Sequence, residues 1–553
     1  MRLALALALL AIFVALTAPP GLPRFFFEQQ DSLVFVAAIA LLVAGAFSNR
    51  IDEPWAEPDP WLSRWRVAAI SIGVAALLWG GAYLLLENYP LTRDEHMVVF
   101  DMAVFRSGHL AFPLAPGWRP YAQALTPAFL LPLPGSAAWV SSYMPVNAML
   151  HAAFGTVLDP ALLNPLLAAL GAIALFDIAK RLFPDSRSAQ LVALLIYGTS
   201  AQVLISAMTP YAMTGHLALN LVWLALYQRG TRTSHAMAMA IGFLAIGLHQ
   251  VVFHPLFAAP FIDHLRRRGE WRTAAAYLGM YSVFLLFWVS YPHLVSASAG
   301  LTAAAGPESG ASGFVSSRVL PLLIHRNPDT LQLIAANLLR FVSWQNLALV
   351  PMLALGTFAI RRDEGIARPL LYGIVLTIVA MAFLLPYQGH GWGYRYLHGL
   401  IGNCALLAAY GWRDFSDRAA VRGFVRMGTI ATVCGSIPFL SWQAHAFVEP
   451  YAKLNRVIEH SNADIVVVNT EGTGFVADEV RNQPDLANRP IRLASATLTP
   501  ADIHIICARG TVAFVGASQM RRLGLVPMDA VDSKHFSQLG AAGNNCPGAQ
   551  AQH

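Results

Sequence analysis

The segment Thr92-Arg-Asp-Glu-His-Met-Val-Val-Phe-Asp101 places Asp94, Glu95 and Asp101 directly after an apolar run, Val67 to Leu86, that is long enough to cross a bilayer. Carboxylates at the point where a helix leaves the membrane suit chemistry on a lipid-carried substrate. Asp94 and Asp101 are seven positions apart, so on a helix they share one face, about two turns from each other. If that face looks into a membrane-level cavity, Asp94 can act as a general base that deprotonates an acceptor hydroxyl as a sugar leaves its phosphate carrier. The competing reading is structural: acidic residues are favoured in the first turn of a helix, and Thr92 and Glu95 stand at capping-box spacing. Glu95 is a third catalytic candidate, with the cap as its more direct explanation.

A second constellation is Pro386-Tyr-Gln-Gly-His-Gly-Trp-Gly-Tyr-Arg395-Tyr396. Its glycines let backbone approach a ligand closely. Arg395 can grip a phosphate bidentately, while His390, Trp392 and Tyr396 can meet a sugar ring or anchor at the interface. The plainer alternative is an aromatic belt with a snorkelling arginine. A third set, His249, Gln250 and His254, lies in an apolar stretch. Histidines at i and i+5 beside a proline are not a helical zinc pair. They either hydrogen-bond substrate or are satisfied structural residues. Arg119 and Tyr143, with Trp118 and Trp139, are candidates to contact a sugar acceptor. No metal ligand set and no nucleophile elbow is evident; nearby carboxylates permit a divalent cation without requiring one, and no cofactor is called for.

The elements that must position these residues are membrane helices. Of 553 residues 56% are hydrophobic and 12% charged, against about 25% charged in a soluble domain. The Lys and Arg behind the net charge of +6 sit in short clusters between apolar spans, as the positive-inside rule expects, so the charge does not support a nucleic-acid partner. Spans are expected at 32–48, 67–86, 161–182, 189–208, 213–228, 273–292, 344–360, 366–386, 396–412 and 424–441. Residues 1–18 read as a signal-like stretch retained as a first helix. Basic segments flank 236–262 on both sides, which implies two short helices meeting near Leu248–Pro255, with His249, Gln250 and His254 facing a polar cavity.

The expectation is an all-α polytopic protein of about 13 transmembrane helices, N-terminus inside and C-terminus outside. Residues 1–442 form the membrane module, with outer loops 87–160 and 293–343. In the first loop a helix is expected at 95–107, stopped by Gly108, then proline-rich turns (Phe112-Pro113, Pro132-Leu-Pro134) and an interfacial helix at 146–157. The second has the composition of a mobile lid or linker. Residues 443–553 form a small α/β domain, with β-rich runs at Ile465–Val468, Ile503–Ile506 and Val512–Val515 and helices at 474–483 and 517–523. Cys507 and Cys546 can form a disulfide there if the tail faces an oxidising compartment.

The order of these motifs resembles a known family. An apolar span, an acidic pair opening a helix (Asp94-Glu95), Phe100-Asp-Met-Ala-Val-Phe-Arg-Ser-Gly108, the turn Trp139-Val-Ser-Ser-Tyr143-Met-Pro145, Leu163-Asn-Pro-Leu166 through Phe183, and Gly391-Trp-Gly-Tyr-Arg-Tyr-Leu397 are similar to integral-membrane glycosyltransferases of the GT-C superfamily. The nearest groups are the protein-mannosyltransferase-like family and the aminoarabinose lipid A transferases. The resemblance covers roughly residues 67–410, with Val146 where the family usually has a second proline. It implies inverting transfer of a sugar from a polyprenyl-phosphate carrier to a lipid, glycan or protein acceptor on the outer face of a bacterial inner membrane, with the tail periplasmic. By that analogy Asp94 is the catalytic base and Arg395 a candidate for the carrier phosphate. The alternatives are a flippase for a lipid-linked sugar, using 236–262 as its site, and a polysaccharide polymerase or ligase.

Overall fold

The computed structural model describes residues 2–47, 62–125, 130, 137–300, 327–362, 365–471, 474–525, 532–544 and 546. The Pro132-Leu-Pro134 turn and most of the glycine-rich part of the 293–343 loop lie outside them. The chain divides into two compact units: the described residues of Met1–Leu85, Ala161–Val289 and Glu308–Ala444, and those of Leu86–Pro160, Ser290–Pro307 and His445–His553.

The first unit is helical. Among the described residues of the chain six helices are long and apolar enough to cross a membrane: Leu22–Gly45, Arg64–Leu84, Pro160–Leu182, Trp271–Ser298, Ala367–Leu384 and Ala419–Glu459. The pair Arg187–Gly198 and Ala201–Ala207, bent by 54°, would make a seventh if it is one span. Length and composition thus give fewer spans than the expected 13 or so; other apolar helices, such as Arg2–Thr17 and Ala212–Tyr227, are shorter. Arg2–Thr17 packs Leu7 and Val14 against Phe35 and Leu339.

Several breaks have local causes. The stretch expected as one span at 189–208 bends at Thr199-Ser200, where the Ser200 hydroxyl accepts from the Val203 N–H and starts a new helix. The 293–343 stretch is not all loop: Thr330–Ser343 is a helix with Leu333, Ala336, Leu339 and Arg340 buried along one side. The following span begins only at Leu349, because Asn346 turns the chain by accepting from the Ala348 N–H at 2.8 Å. Residues 236–262 form two helices, Arg232–Ile246 and Phe253–Arg267, separated at 247–252 as charge parity required.

In the second unit, Arg93–Arg106 is the expected helix, ended by Gly108 at φ +79°. Phe112–Pro113 pairs antiparallel with Ala138–Trp139, and Val146–Phe154 is helical. The tail builds a parallel three-stranded sheet with Ile465–Val468 between Ile491–Ala494 and Val512–Val515. Ile503–Ile506 is not a strand: it belongs to helix Pro500–Cys507. Thr499 caps that helix, with Asp502 returning the bond and Pro500 at the first turn, and these start signals outweigh the β-branched run. Val476–Glu479 is a short 3₁₀ turn, Ala517–Arg522 is α-helical, and Cys507 and Cys546 are joined in a disulfide. One core holds Met97, Phe100 and Trp139 of the loop with Ile465, Leu493 and Ile503 of the tail.

Candidate functional site

The helix Arg93–Arg106 starts from a completed capping box. The Glu95 carboxylate accepts from the Thr92 N–H at 2.9 Å and from the Thr92 hydroxyl at 3.0 Å. It is buried, and burial raises its pKa to about 8. The next anchor is Arg93, whose backbone N–H and Nε bond the Asp478 carboxylate at 2.9 and 2.7 Å. Both flanks of Asp94 are therefore fixed while Asp94 itself is half-buried. The Tyr143 hydroxyl donates to its carboxylate. Tyr143 is held in turn by its own N–H on the Ser141 hydroxyl at 3.1 Å, next to the bridge that pairs Ser141 with Leu130.

Asp101 lies two turns along the helix and is 4% exposed. Burial raises its pKa to about 7, opposed by a hydrogen bond from the Ser141 side chain. The turn Ser141–Tyr143 thus supplies one hydroxyl to each carboxylate of the shared face. This arrangement leaves Asp94 as the more accessible, oriented carboxylate of the two, with Asp101 holding its proton to near neutrality. Arg119 is turned onto the Leu114 carbonyl at 3.1 Å, and Trp118 lies 4.6 Å from the Arg509 guanidinium, so both brace the loop itself.

The glycine-aromatic segment belongs to the first unit. His390, Trp392, Tyr394 and Tyr396 are buried, with His390 edge-on to Trp392 at 4.6 Å; Arg395 is half-buried, its guanidinium 5.2 Å from the Tyr396 ring. Gly393 has φ +77°, and a Cβ there would lie 2.4 Å from Gln202 Oε1. A Cβ on Gly391 would press on the Arg395 stem at 3.3 Å. What holds the segment is a residue that sequence reasoning missed. Arg340, 2% exposed, donates to the Gly391 carbonyl at 2.6 Å and the Gly393 carbonyl at 3.2 Å. Its Nη1 donates to the two oxygens of the Asp31 carboxylate at 3.0 and 3.1 Å, the Nη2 that bonds Gly391 also reaches Gln30 at 3.0 Å, and its plane lies 3.9 Å from the Phe26 ring. Trp344 Nε1 adds a bond to Asp31 at 2.8 Å. An ionisable residue inside an apolar helix was the available signal; Asp31 and Arg340 fell just outside the expected span edges.

His254 is fully buried between the Asn220 side chain and the Tyr281 hydroxyl, each at 2.8 Å, as a satisfied interior residue would be. His249 and Gln250 are half-buried in the break between their two helices. Among the described residues no three of His, Cys, Asp and Glu gather as a metal group would.

No family profile and no curated protein matches the sequence. Among solved structures, the chain is similar to ArnT from Cupriavidus metallidurans bound to undecaprenyl phosphate, with 13% identity, a TM-score of 0.48 and coverage of 75% of this chain and 85% of that one. The apo state of the same protein gives 13% identity and a TM-score of 0.45, covering 75% of this chain and 84% of that one.

Proposed function

We propose that this chain is an inverting integral-membrane glycosyltransferase that moves a sugar from a polyprenyl-phosphate carrier to an acceptor hydroxyl at the outer face of a bacterial inner membrane. Asp94 is the general base. Its carboxylate takes the proton of the acceptor hydroxyl while that oxygen bonds to the anomeric carbon. The bond from that carbon to the carrier phosphate oxygen breaks, and the polyprenyl phosphate leaves with the electron pair. Attack opposite the leaving group inverts the centre.

The observation that carries this reading is the Asp94 carboxylate: half-buried, oriented by the Tyr143 hydroxyl, and flanked by an acid already committed to a cap. Order and spacing of the motifs from the Val67–Leu86 span to the Gly391–Leu397 segment support it. Arg395 is the candidate for the carrier phosphate, and a bidentate guanidinium suits that partner. The about 13 crossings expected from charge parity, with the N-terminus cytoplasmic, would put residues 443–553 outside. The Cys507–Cys546 disulfide supports that side for the tail, since disulfides persist in oxidising compartments.

The test is D94N in membranes supplied with polyprenyl-phospho-sugars. Loss of a general base is expected to lower transfer by roughly 10²–10⁴-fold with the protein still inserted. Wild-type rates from D94N would remove Asp94 from the chemistry. Movement of the lipid-linked sugar across vesicles without any glycosyl product would make the chain a flippase.

A further inference from the structure

The helix Arg93–Arg106 has a second occupied face. At 100° per residue, His96, Val99 and Ala103 point to the side opposite Asp94 and Asp101. Those three residues line a cavity of about 670 Å³ within the same unit. Its remaining walls come from the segment 87–90, the last turns of helix Ile437–Glu459 and the stretch 481–492. That volume is within the usual range for a small-molecule site, roughly 300–1,000 Å³.

The lining is cationic and rich in polar groups. Four guanidiniums, Arg456, Arg481, Arg489 and Arg492, face it against two carboxylates, Glu87 and Glu459. Arg456 pairs with Glu87, and Arg492 reaches Glu459 at 3.4 Å. The hydrogen bonds of Arg481 and Arg489, by contrast, go to uncharged oxygens: the first to the Pro90 and Asp478 carbonyls, the second to those of Leu486 and Asn488. Behind the wall, Asp478 is matched by Arg93, and Glu479, which accepts from the Tyr89 phenol, stands 4.0 Å from Arg492, so four guanidiniums face three carboxylates and the balance at the cavity stays positive. Asn455, Gln483 and Asn488 add amide groups that can both donate and accept. The Tyr89 face is already covered by Arg481 at 4.0 Å, which leaves no platform there for a nucleobase.

We propose that this cavity is a second ligand site, separate from the Asp94 face, that takes a monosaccharide bearing a phosphate. Guanidiniums recognise the anion and the amides recognise hydroxyls. The inference does not depend on the transfer chemistry.

The experiment is calorimetric titration of the full-length protein in detergent with glucose 1-phosphate, inorganic phosphate and glucose. Glucose 1-phosphate is expected to saturate the site, phosphate to bind about tenfold more weakly, and glucose not to bind. R489Q alters an exposed arginine and is expected to weaken glucose 1-phosphate by about tenfold, the size of one charge-assisted bond. R489K should restore part of the loss, and D94N should leave the affinity unchanged. Absence of saturation, equal affinity in wild type and R489Q, equal binding of phosphate and glucose 1-phosphate, or loss of binding in D94N would each overturn the proposal. Thermal melts of the variants distinguish lost binding from lost folding.

Discussion

Two carboxylates on one helix face live in different surroundings. Asp94 is half-buried and held by a phenol, whereas Asp101 is enclosed and carries a proton up to about pH 7. Removing the hydroxyl while keeping the ring should misorient the proposed base without unfolding the loop. Y143F is therefore expected to lower kcat by roughly tenfold, the value of one hydrogen bond to a charged group, with KM for the carrier little changed. Burial of Asp101 also sets a pH dependence. Its folded pKa lies above the ordinary value of 3.8, so the folded protein binds more protons than the unfolded one between about pH 4 and 7. Stability from this group must then fall as pH rises through that window and level off above it. Glu95, raised from 4.5 to about 8, acts in the same direction up to slightly higher pH. Thermal melts of wild type should drop from pH 5 to 7.5, and D101N should flatten part of the slope and melt a few degrees higher at pH 7.5.

At the scale of elements, the segment Gly389–Tyr396 is shaped less by its own glycines than by the guanidinium behind it. Arg340 is bonded to two of its carbonyls and to a buried carboxylate, so removing it leaves Asp31 without its ion pair. Breaking such a pair costs about 3–5 kcal/mol. R340Q should lower the melting temperature sharply and D31N should do the same. The double variant should lose less than the sum of the two, which a double-mutant cycle in detergent would read. Additive losses would mean that the pair is not coupled. How far these elements were legible from sequence follows the same logic. Thr92 and Glu95 announce the helix Arg93–Arg106 because a cap is encoded within four residues. The break at 247–252 was legible from charge parity. The Pro500–Cys507 helix was misread because isoleucines speak for strand only where no cap precedes them, and the strand Ile491–Ala494 was missed because its apolar run is so short. Arg340 and Asp31 could not be paired by any local pattern: their meeting is tertiary.

At the scale of the whole molecule, residues far apart in sequence are gathered into each unit. The loop helix Arg93–Arg106 shares a core with the tail strands, and Arg93 is bonded to Asp478 inside that unit. A tail deletion should therefore strip the support from the turn on either side of Asp94, not merely remove an appendage. The Asp31–Arg340 pair carries a similar consequence for biosynthesis. The two residues are separated by 309 positions. At elongation rates of about 5–20 residues per second, Asp31 emerges roughly 15–60 s before the arginine that answers it. During that interval the nascent chain must carry an unanswered carboxylate in a segment otherwise fit for lipid. Insertion of this protein is thus ordered in time, and its early helices wait for a late one.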